Sequence, residues 1–288
     1  MPELPEVETV RLQLLHKVSG KTIASVTAHH AKTVAHNLTI GDLLTGKTIS
    51  HIDRVGKLLI FEFVDETNIF LLAHLKMTGQ FFYVGTNGSI IGGGHSMTAA
   101  DSYRLPNRHT RSSFHFTDGS TLHFNDMRLF GYTKIANAAE VASARAKYGP
   151  EPIHTEFDSN WFTRALRHKS SVVKAALLDQ SFIAGLGNIY VDEALWWAKV
   201  RPTRRANRVT KAEAILIAKY AGQVMNDAIS VGGTTFQYFV DAEGNKGNYT
   251  SKLQVFGKQN TPCPRCDTII KKIRCAGRGT HYCPGCQK

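Results

Sequence analysis

Apolar positions change their period along this chain. Val7, Val10, Leu14 and Val18 recur at helical spacing, Gly20 follows as a stop, and Pro5 and Glu6 suit a helix's first turn. From Lys21 to about Ala136 the period falls to two. Leu59, Phe61 and Phe63 alternate with other residues, a polar turn runs through Asp65-Glu66-Thr67-Asn68, and Ile69-Phe70-Leu71-Leu72 resumes. A second hairpin is predicted where Phe114 and Phe116 alternate into Asp118-Gly119 and Leu122 and Phe124 alternate out. This half predicts an N-terminal helix with an antiparallel sandwich or barrel. The stretch from Thr86 to Asp101, with Gly92-Gly93-Gly94, reads as a flexible surface loop.

Tyr148-Gly149-Pro150-Glu151-Pro152 breaks any element and marks a boundary. Helical patterns follow. Asp158 or Ser159 caps one through Arg167, and Ser170 or Ser171 caps a second carrying Val172, Val173, Ala176 and Leu177. A third spans Asn188 to Ala198. Thr210-Lys211-Ala212-Glu213 is a capping box that opens a long helix ending near Gly232-Gly233. From Leu253 the tail predicts short strands around a metal. The chain is α+β and multidomain, divided as 1–136 for the β domain, 137–152 for a linker, 153–250 for a helical domain and 251–288 for a zinc finger.

Charge narrows the class of partner. Lys and Arg number 35 against 23 Asp and Glu, for a net charge of +12. From Ser251 to Lys288 eight basic residues face one acid, Asp267, so this tail carries more than half of the excess. Such a balance favours a polyanion, nucleic acid before membrane surface. No basic region followed by an apolar run opens the chain, and no apolar stretch approaches the roughly 20 residues that span a bilayer. A reducing compartment is expected, because all five cysteines lie between Cys263 and Cys286 in metal-ligand spacing.

Cys263-Pro264-Arg265-Cys266 and Cys283-Pro284-Gly285-Cys286 are two knuckles with sixteen residues between them. Four thiolates close a tetrahedral set and leave no open position, so one structural zinc is expected. Cys275 is the odd thiol, and His281 reads as a surface or neighbouring residue. Gly277-Arg278-Gly279-Thr280 suits a hairpin tip that brings backbone and guanidinium to a phosphate. Gly185-Leu186-Gly187-Asn188 allows a tight turn into a helix whose N-terminus favours an anion, with Lys174 placed to add charge; an ordinary helix cap fits the same residues. At the start, loss of Met1 would make Pro2 a free secondary amine beside the Glu3 carboxylate. Such an amine titrates near ~8 and forms an iminium that acts as an electron sink.

Taken together, these segments resemble a known family. Met1-Pro2-Glu3-Leu4-Pro5-Glu6-Val7-Glu8-Thr9 looks like the N-terminus of bacterial formamidopyrimidine-DNA glycosylases. Ala184 to Pro202 resembles the family's helix–two-turn–helix element. Val255-Phe256-Gly257 and the tail through Cys286 resemble its zinc finger. The resemblance runs nearly end to end and implies an N-terminal helix with an antiparallel β-sandwich, then a helical domain and a four-cysteine zinc finger. It implies a monomeric glycosylase/AP lyase for oxidised purines, working on double-stranded DNA with oxidised bases or abasic sites, at the nucleoid in the cytoplasm. Pro2 would be the nucleophile, Glu3 the acid/base, and Glu6 an electrostatic support. Lys57 would contact phosphate near the lesion, and Asn188 and Arg278 the phosphates flanking it. Met77, Arg128 and Phe130 would fill the gap left by the flipped nucleotide.

Some positions depart from the family pattern. Met127 and Leu129 flank Arg128 where the family often has proline and a second basic residue. The glycine-rich stretch looks like an insertion. Thr234 to Tyr249 resembles the loop that closes over a flipped oxidised purine, with Gln237 where lysine is common. An endonuclease VIII-like enzyme for oxidised pyrimidines is the nearest alternative, and a non-catalytic binder of damaged DNA the alternative of another class. Nothing points to a nucleotide cofactor or catalytic magnesium.

Overall fold

The computed structural model describes residues 2–30, 40–95, 104–234, 239–240 and 248–288. The chain divides into two compact units, one of Met1–Ala146 with Val231–Asn248 and one of Lys147–Ser230 with Tyr249–Lys288. The helical stretch and the zinc-finger stretch, expected as separate domains, thus fall in one unit. The expected linker holds a helix of its own, Ala138–Arg145, capped by the Asn137 side chain on the Glu140 N–H.

In the first unit α1 (Leu4–Val18) precedes two antiparallel sheets. The larger sheet has the order β1-β7-β8-β5-β6-β10, from Ile23–Ala28, Thr110–Phe116, Thr121–Asp126, Gly79–Val84, Ile90–His95 and Phe239–Val240. The smaller has the order β2-β3-β4-β9, from Ile49–Val55, Leu58–Phe63, Phe70–His74 and Tyr132–Ala136. Alternation decides which faces meet. Leu59 and Phe61 from β3, Phe81 from β5, Phe114 from β7 and Phe124 from β8 share one core with Val7, Val10 and Leu14 of α1. Phe61 and Phe81 join the two sheets with ring centroids 5.8 Å apart. The sandwich reading therefore holds, and both predicted hairpins form, as β3–β4 and β7–β8.

The glycine-rich stretch corrects the expectation of a loop. Gly92, Gly93 and Gly94 lie in β6, paired with Phe82, Phe81 and Gln80 of β5. A Cβ on Gly92 would sit 1.9 Å from Phe82 Cδ1, so the missing side chain makes room for the ring across the strand. Residues 96–101 of that stretch lie outside the described residues.

The second unit is built from short helices. Helix α4 (Ser159–Arg167) is capped by Asp158, whose carboxylate accepts from the Asn160 and Trp161 N–H groups. Next come α5 (Val173–Leu178), α6 (Asn188–Trp197) and α7 (Lys211–Ile229). Neither Ser170 nor Ser171 caps α5; its N-cap is Val172, without a side-chain bond. Thr210 and Glu213 form the expected capping box on α7. The unit ends in the hairpin β11 (Lys271–Cys275) and β12 (Arg278–Tyr282).

Candidate functional site: two groups of residues and a metal centre

The first group of expected site residues opens at the buried start of α1. Pro2, Glu3 and Glu6 are all buried. Glu6 stands one turn into the helix, so its carboxylate reaches back: Oε2 accepts the Glu3 N–H at 2.8 Å. Its other oxygen accepts the Thr234 N–H at 2.8 Å. One carboxylate thus ties the N-terminal residues to the root of the segment resembling the lesion-closing loop. The approach is close enough that a Cβ on Gly233 would lie 3.0 Å from Glu6 Oε1. Gln237 and residues 241–247 lie outside the described residues.

A second tie anchors the turn carrying Lys57. Glu8 receives Arg11 from its own helix and Arg54 from β2, whose Nε donates to Oε2 at 2.7 Å. Burial pushes the Glu8 carboxyl up, but the hydrogen bonds and charges of Arg11 and Arg54 outweigh it and hold it below its ordinary value. Arg54 Nη1 also donates to the Gly56 carbonyl at 2.9 Å, bracing the β2–β3 turn. Lys57 on that turn is only 6% exposed. Its strand partner region includes His74, paired with Leu58. Burial, then the charges of Lys76 and Lys57, press the His74 pKa down to about 3. The ring is therefore neutral at pH 7. Its Nδ1 accepts the Lys76 N–H at 3.0 Å, which places the ring proton on Nε2.

Two adjacent loops bring Met77, Arg128 and Phe130 together. Met77 is 37% and Phe130 50% exposed, large apolar side chains held out to solvent. The Arg128 guanidinium lies 4.7 Å from the Phe130 ring centroid, and its Nη1 is 3.2 Å from Met77 Sδ. Asp126, fully buried at the end of β8, holds the loops in place. It accepts from the Thr78 hydroxyl, from the Arg128 N–H at 3.1 Å and from the Gly131 N–H at 2.6 Å. The same geometry forces Leu129 to φ 58°, a left-handed value that L residues rarely adopt. Asp126 escaped the sequence reading. Its signal is an acid at the end of an alternating strand, in a protein short of acids.

A second group of expected site residues lies in the other unit, around the α5–α6 turn. Gln180 clamps that turn: Oε1 accepts the Gly185 N–H at 3.0 Å, and Nε2 donates to the Leu186 carbonyl at 2.7 Å. Asn188 is the first residue of α6, after the N-cap Gly187. Its Nδ2 donates to the Gly279 carbonyl at 2.9 Å, which fixes it beside the β11–β12 hairpin. Ala276 (φ 52°) and Gly277 (φ 71°) both take left-handed values, so the turn is a two-residue loop of the type that matches strand twist. Exposed Arg278 is the first residue beyond it and pairs in register with Cys275.

Lys174 corrects the expectation that it adds charge to an anion site. It is 0% exposed, and Nζ donates to Asp192 Oδ1 at 2.6 Å and lies 3.5 Å from the Gly279 carbonyl. A buried ammonium is tolerated only when paired, and Asp192 from the next helix supplies the pair. Asp192 Oδ2 accepts the His281 N–H at 2.8 Å. Its neighbour Glu193 accepts the N–H groups of Gln254, Val255 and Phe256 at 2.8, 2.9 and 2.8 Å. Two consecutive acids of α6 therefore fasten the zinc-binding tail to the helices. Their burial inside an otherwise apolar helix was the missed signal.

The metal centre fits zinc. The Sγ atoms of Cys263, Cys266, Cys283 and Cys286 all lie within 4.8 Å of one another. They share a small core with Trp196, Val255 and Ile270. Trp196 Nε1 donates to Cys263 Sγ at 3.4 Å, and Arg265 stacks on the Trp196 ring at 3.8 Å. Such donors orient thiolates, and a full set of four thiolates would leave no open position for substrate on the metal. Cys275 stands outside the cluster, its thiol on the Pro202 carbonyl at 3.8 Å. His281 is buried rather than on the surface and meets the Phe256 ring edge-on at 4.8 Å.

A helix-led β-sandwich followed by a helical turn and a four-cysteine hairpin defines a zinc-finger protein of composite architecture. Residues 1–133 match the formamidopyrimidine-DNA glycosylase N-terminal domain, 148–240 its H2TH domain, and 261–288 a zinc finger found in FPG and IleRS. The chain belongs to the formamidopyrimidine-DNA glycosylase family. It is 38% identical to the formamidopyrimidine-DNA glycosylase of Listeria monocytogenes over 292 aligned positions, covering 100% of both chains. To that of Streptococcus pneumoniae it is 38% identical, covering 100% of this chain and 99% of the other. Among solved structures it resembles the Lactococcus lactis enzyme complexed with abasic-site DNA (TM-score 0.84, 35% identity, 100% of both chains). The wild-type L. lactis enzyme with DNA containing an oxidised pyrimidine matches similarly (TM-score 0.85, 36% identity, 100% of both chains).

Proposed function

We propose that this protein is a bifunctional DNA glycosylase and AP lyase of base excision repair, removing oxidised purines, chiefly 8-oxoguanine and formamidopyrimidines, from duplex DNA. The observation that carries the reading is the buried Pro2-Glu3 start, braced by Glu6, on a chain related from end to end to named formamidopyrimidine-DNA glycosylases. Once Met1 is removed, the Pro2 nitrogen bonds to C1′ of the damaged nucleotide as the C1′–base bond breaks and the base leaves with a proton. Glu3 protonates the ring oxygen O4′ as the sugar opens, and the nitrogen becomes an iminium. That cation stabilises loss of the C2′ proton and expulsion of the 3′-phosphate; a second elimination expels the 5′-phosphate. Water then releases Pro2, and a one-nucleotide gap remains.

The other residues serve access rather than bond-making. C1′ cannot be reached in a stacked duplex, so the nucleotide is flipped out at a cost of a few kcal/mol. Met77, Arg128 and Phe130 occupy the vacated space, Arg128 facing the orphaned base. Lys57, Asn188 and Arg278 hold phosphates, and zinc, held by Cys263, Cys266, Cys283 and Cys286, keeps the hairpin folded. The enzyme works as a monomer on the nucleoid in the cytoplasm.

A second reading, a preference for oxidised pyrimidines, has one observation in its favour: the L. lactis relative is solved on DNA containing such a base. Base release from duplexes carrying 8-oxoguanine opposite cytosine and from duplexes carrying thymine glycol separates the two. Faster release of 8-oxoguanine supports the purine reading, and faster release of thymine glycol replaces it.

A further inference from the structure

Beyond Asn188 and Arg278, the second unit carries basic residues that neither the fold nor the expected phosphate grip uses. Residues 199–211 hold Lys199, Arg201, Arg204, Arg205, Arg208 and Lys211 and no acid. The structure sets this run against a second basic segment. The Ala206 N–H donates to the Ser171 carbonyl at 2.9 Å, the Val173 N–H to the Arg204 carbonyl at 2.7 Å, and Arg205 Nη1 to the Ser170 carbonyl at 2.8 Å. Helix α4, whose last turn carries Arg164 and Arg167, packs on the Ala206–Arg208 turn.

The same run adjoins the zinc hairpin. Cys275, the register partner of Arg278, places its thiol on the Pro202 carbonyl. Arg201 lies 5.4 Å from the Tyr282 ring centroid. Exposed Arg278, Arg201, Arg205, Arg208 and Arg167 therefore stand on segments that contact one another.

Nearby acids neutralise only part of their charge. Glu213 is taken by Arg204 at 2.6 Å and Asp179 by Lys169 at 3.1 Å, while Asp158 stands 4.0 Å from Arg164. Arg167 and Arg208 are exposed and make no ion pair or side-chain hydrogen bond among the described residues. A cluster of like charges opposes folding unless an outside polyanion compensates it. None of the large exposed hydrophobics lies in 164–169 or 199–211, so the strip lacks the apolar anchor an acidic protein partner would need. Spaced guanidinium groups without an anchor suit a ladder of phosphates.

We infer that this strip is a second phosphate-binding surface, which engages the backbone of the substrate duplex beyond the nucleotides flanking the lesion. The inference rests on the DNA glycosylase reading for its occupant. It makes affinity depend on duplex length in a way that Asn188 and Arg278 alone do not.

The test measures binding of full-length, zinc-loaded protein to duplexes with a central tetrahydrofuran abasic analogue, across a salt series. One duplex spans about one helical turn (about 10 base pairs) and the other about three. The comparison is wild type against R167Q/R208Q, two side chains without internal partners, with the melting temperature checked to be unchanged. On the long duplex the variant's slope of log K against log salt should be shallower by about two units, near 0.9 per lost phosphate contact. On the short duplex wild type and variant should agree. Equal slopes on the long duplex, or an equal loss on both lengths, overturn the proposal. Variant-sensitive binding of polyglutamate with unchanged DNA slopes assigns the strip to an acidic protein instead and also overturns it. Borohydride trapping of wild type on a matching short duplex with a natural, aldehyde-bearing abasic site reports the lyase chemistry separately, and the salt slopes decide this proposal whatever it shows.

Discussion

Asp126 is fully buried, yet it organises the loops that carry the exposed Met77, Arg128 and Phe130. Replacing it with asparagine turns an acceptor of three donors into a group with its own N–H pair facing them. The expected cost is about 2–3 kcal/mol in denaturant unfolding, with weaker binding to abasic duplex; a variant as stable as wild type would remove Asp126 from this role. Histidines give a pH signature of their own. His123 bonds through Nδ1 to the Ser113 hydroxyl at 2.7 Å, and burial, then the charges of His115 and His29, lower its pKa to about 4. His74 is lower still, at about 3. The unfolded chain takes up these protons near pH 6.5, the folded chain only at 3 to 4. Stability from this source is thus complete above pH 6.5 and is lost as pH falls toward 4. Melting temperatures from pH 7 to 4 should fall less steeply for His123→Asn than for wild type; parallel curves would contradict the assignment. None of this was legible in the sequence, because burial of a polar side chain depends on strands that are distant in the chain.

At the scale of elements, alternation and capping carried most of the information. Val7, Val10 and Leu14 mark α1, Leu59 and Phe61 mark β3, and Thr210 with Glu213 marks α7, since each signal is local. The glycine-rich strand β6 was illegible for the opposite reason. Glycine normally weakens a strand, and here it is required by Phe82 on the neighbouring strand. Gly92→Ala should destabilise by about 1–3 kcal/mol, and Phe82→Leu in the same chain should recover much of the loss; additive losses would mean the two do not conflict. Cysteine spacing made the metal element legible outright. Removing zinc should unfold 251–288 and, through Gly279 and Asn188, lower duplex affinity at least tenfold, followed by circular dichroism and titration with a chelator. Full affinity in metal-free protein would contradict the structural role.

Across the whole molecule, the expected roles are distributed over both units of the chain. Pro2, Glu3, Lys57, Met77, Arg128 and Phe130 belong to one unit, and Asn188 and Arg278 to the other. Each was placed by its motif, and Glu6 with them, while the partners of Glu6 and the bracing carboxylates Glu8, Asp192 and Glu193 emerged only from the folded chain. Lys174 shows the limit of motif reasoning: it lies on the helix before the glycine turn, as expected, but its charge is spent inward on Asp192. The claim on which these assignments converge is that the Pro2 nitrogen becomes covalently joined to deoxyribose. Borohydride reduction during reaction with an 8-oxoguanine duplex, on protein whose mass confirms loss of Met1, tests it directly. The account predicts a protein–DNA adduct in wild type and none in Pro2→Thr or in protein retaining Met1. Processed wild-type protein that releases 8-oxoguanine but yields no adduct would contradict it.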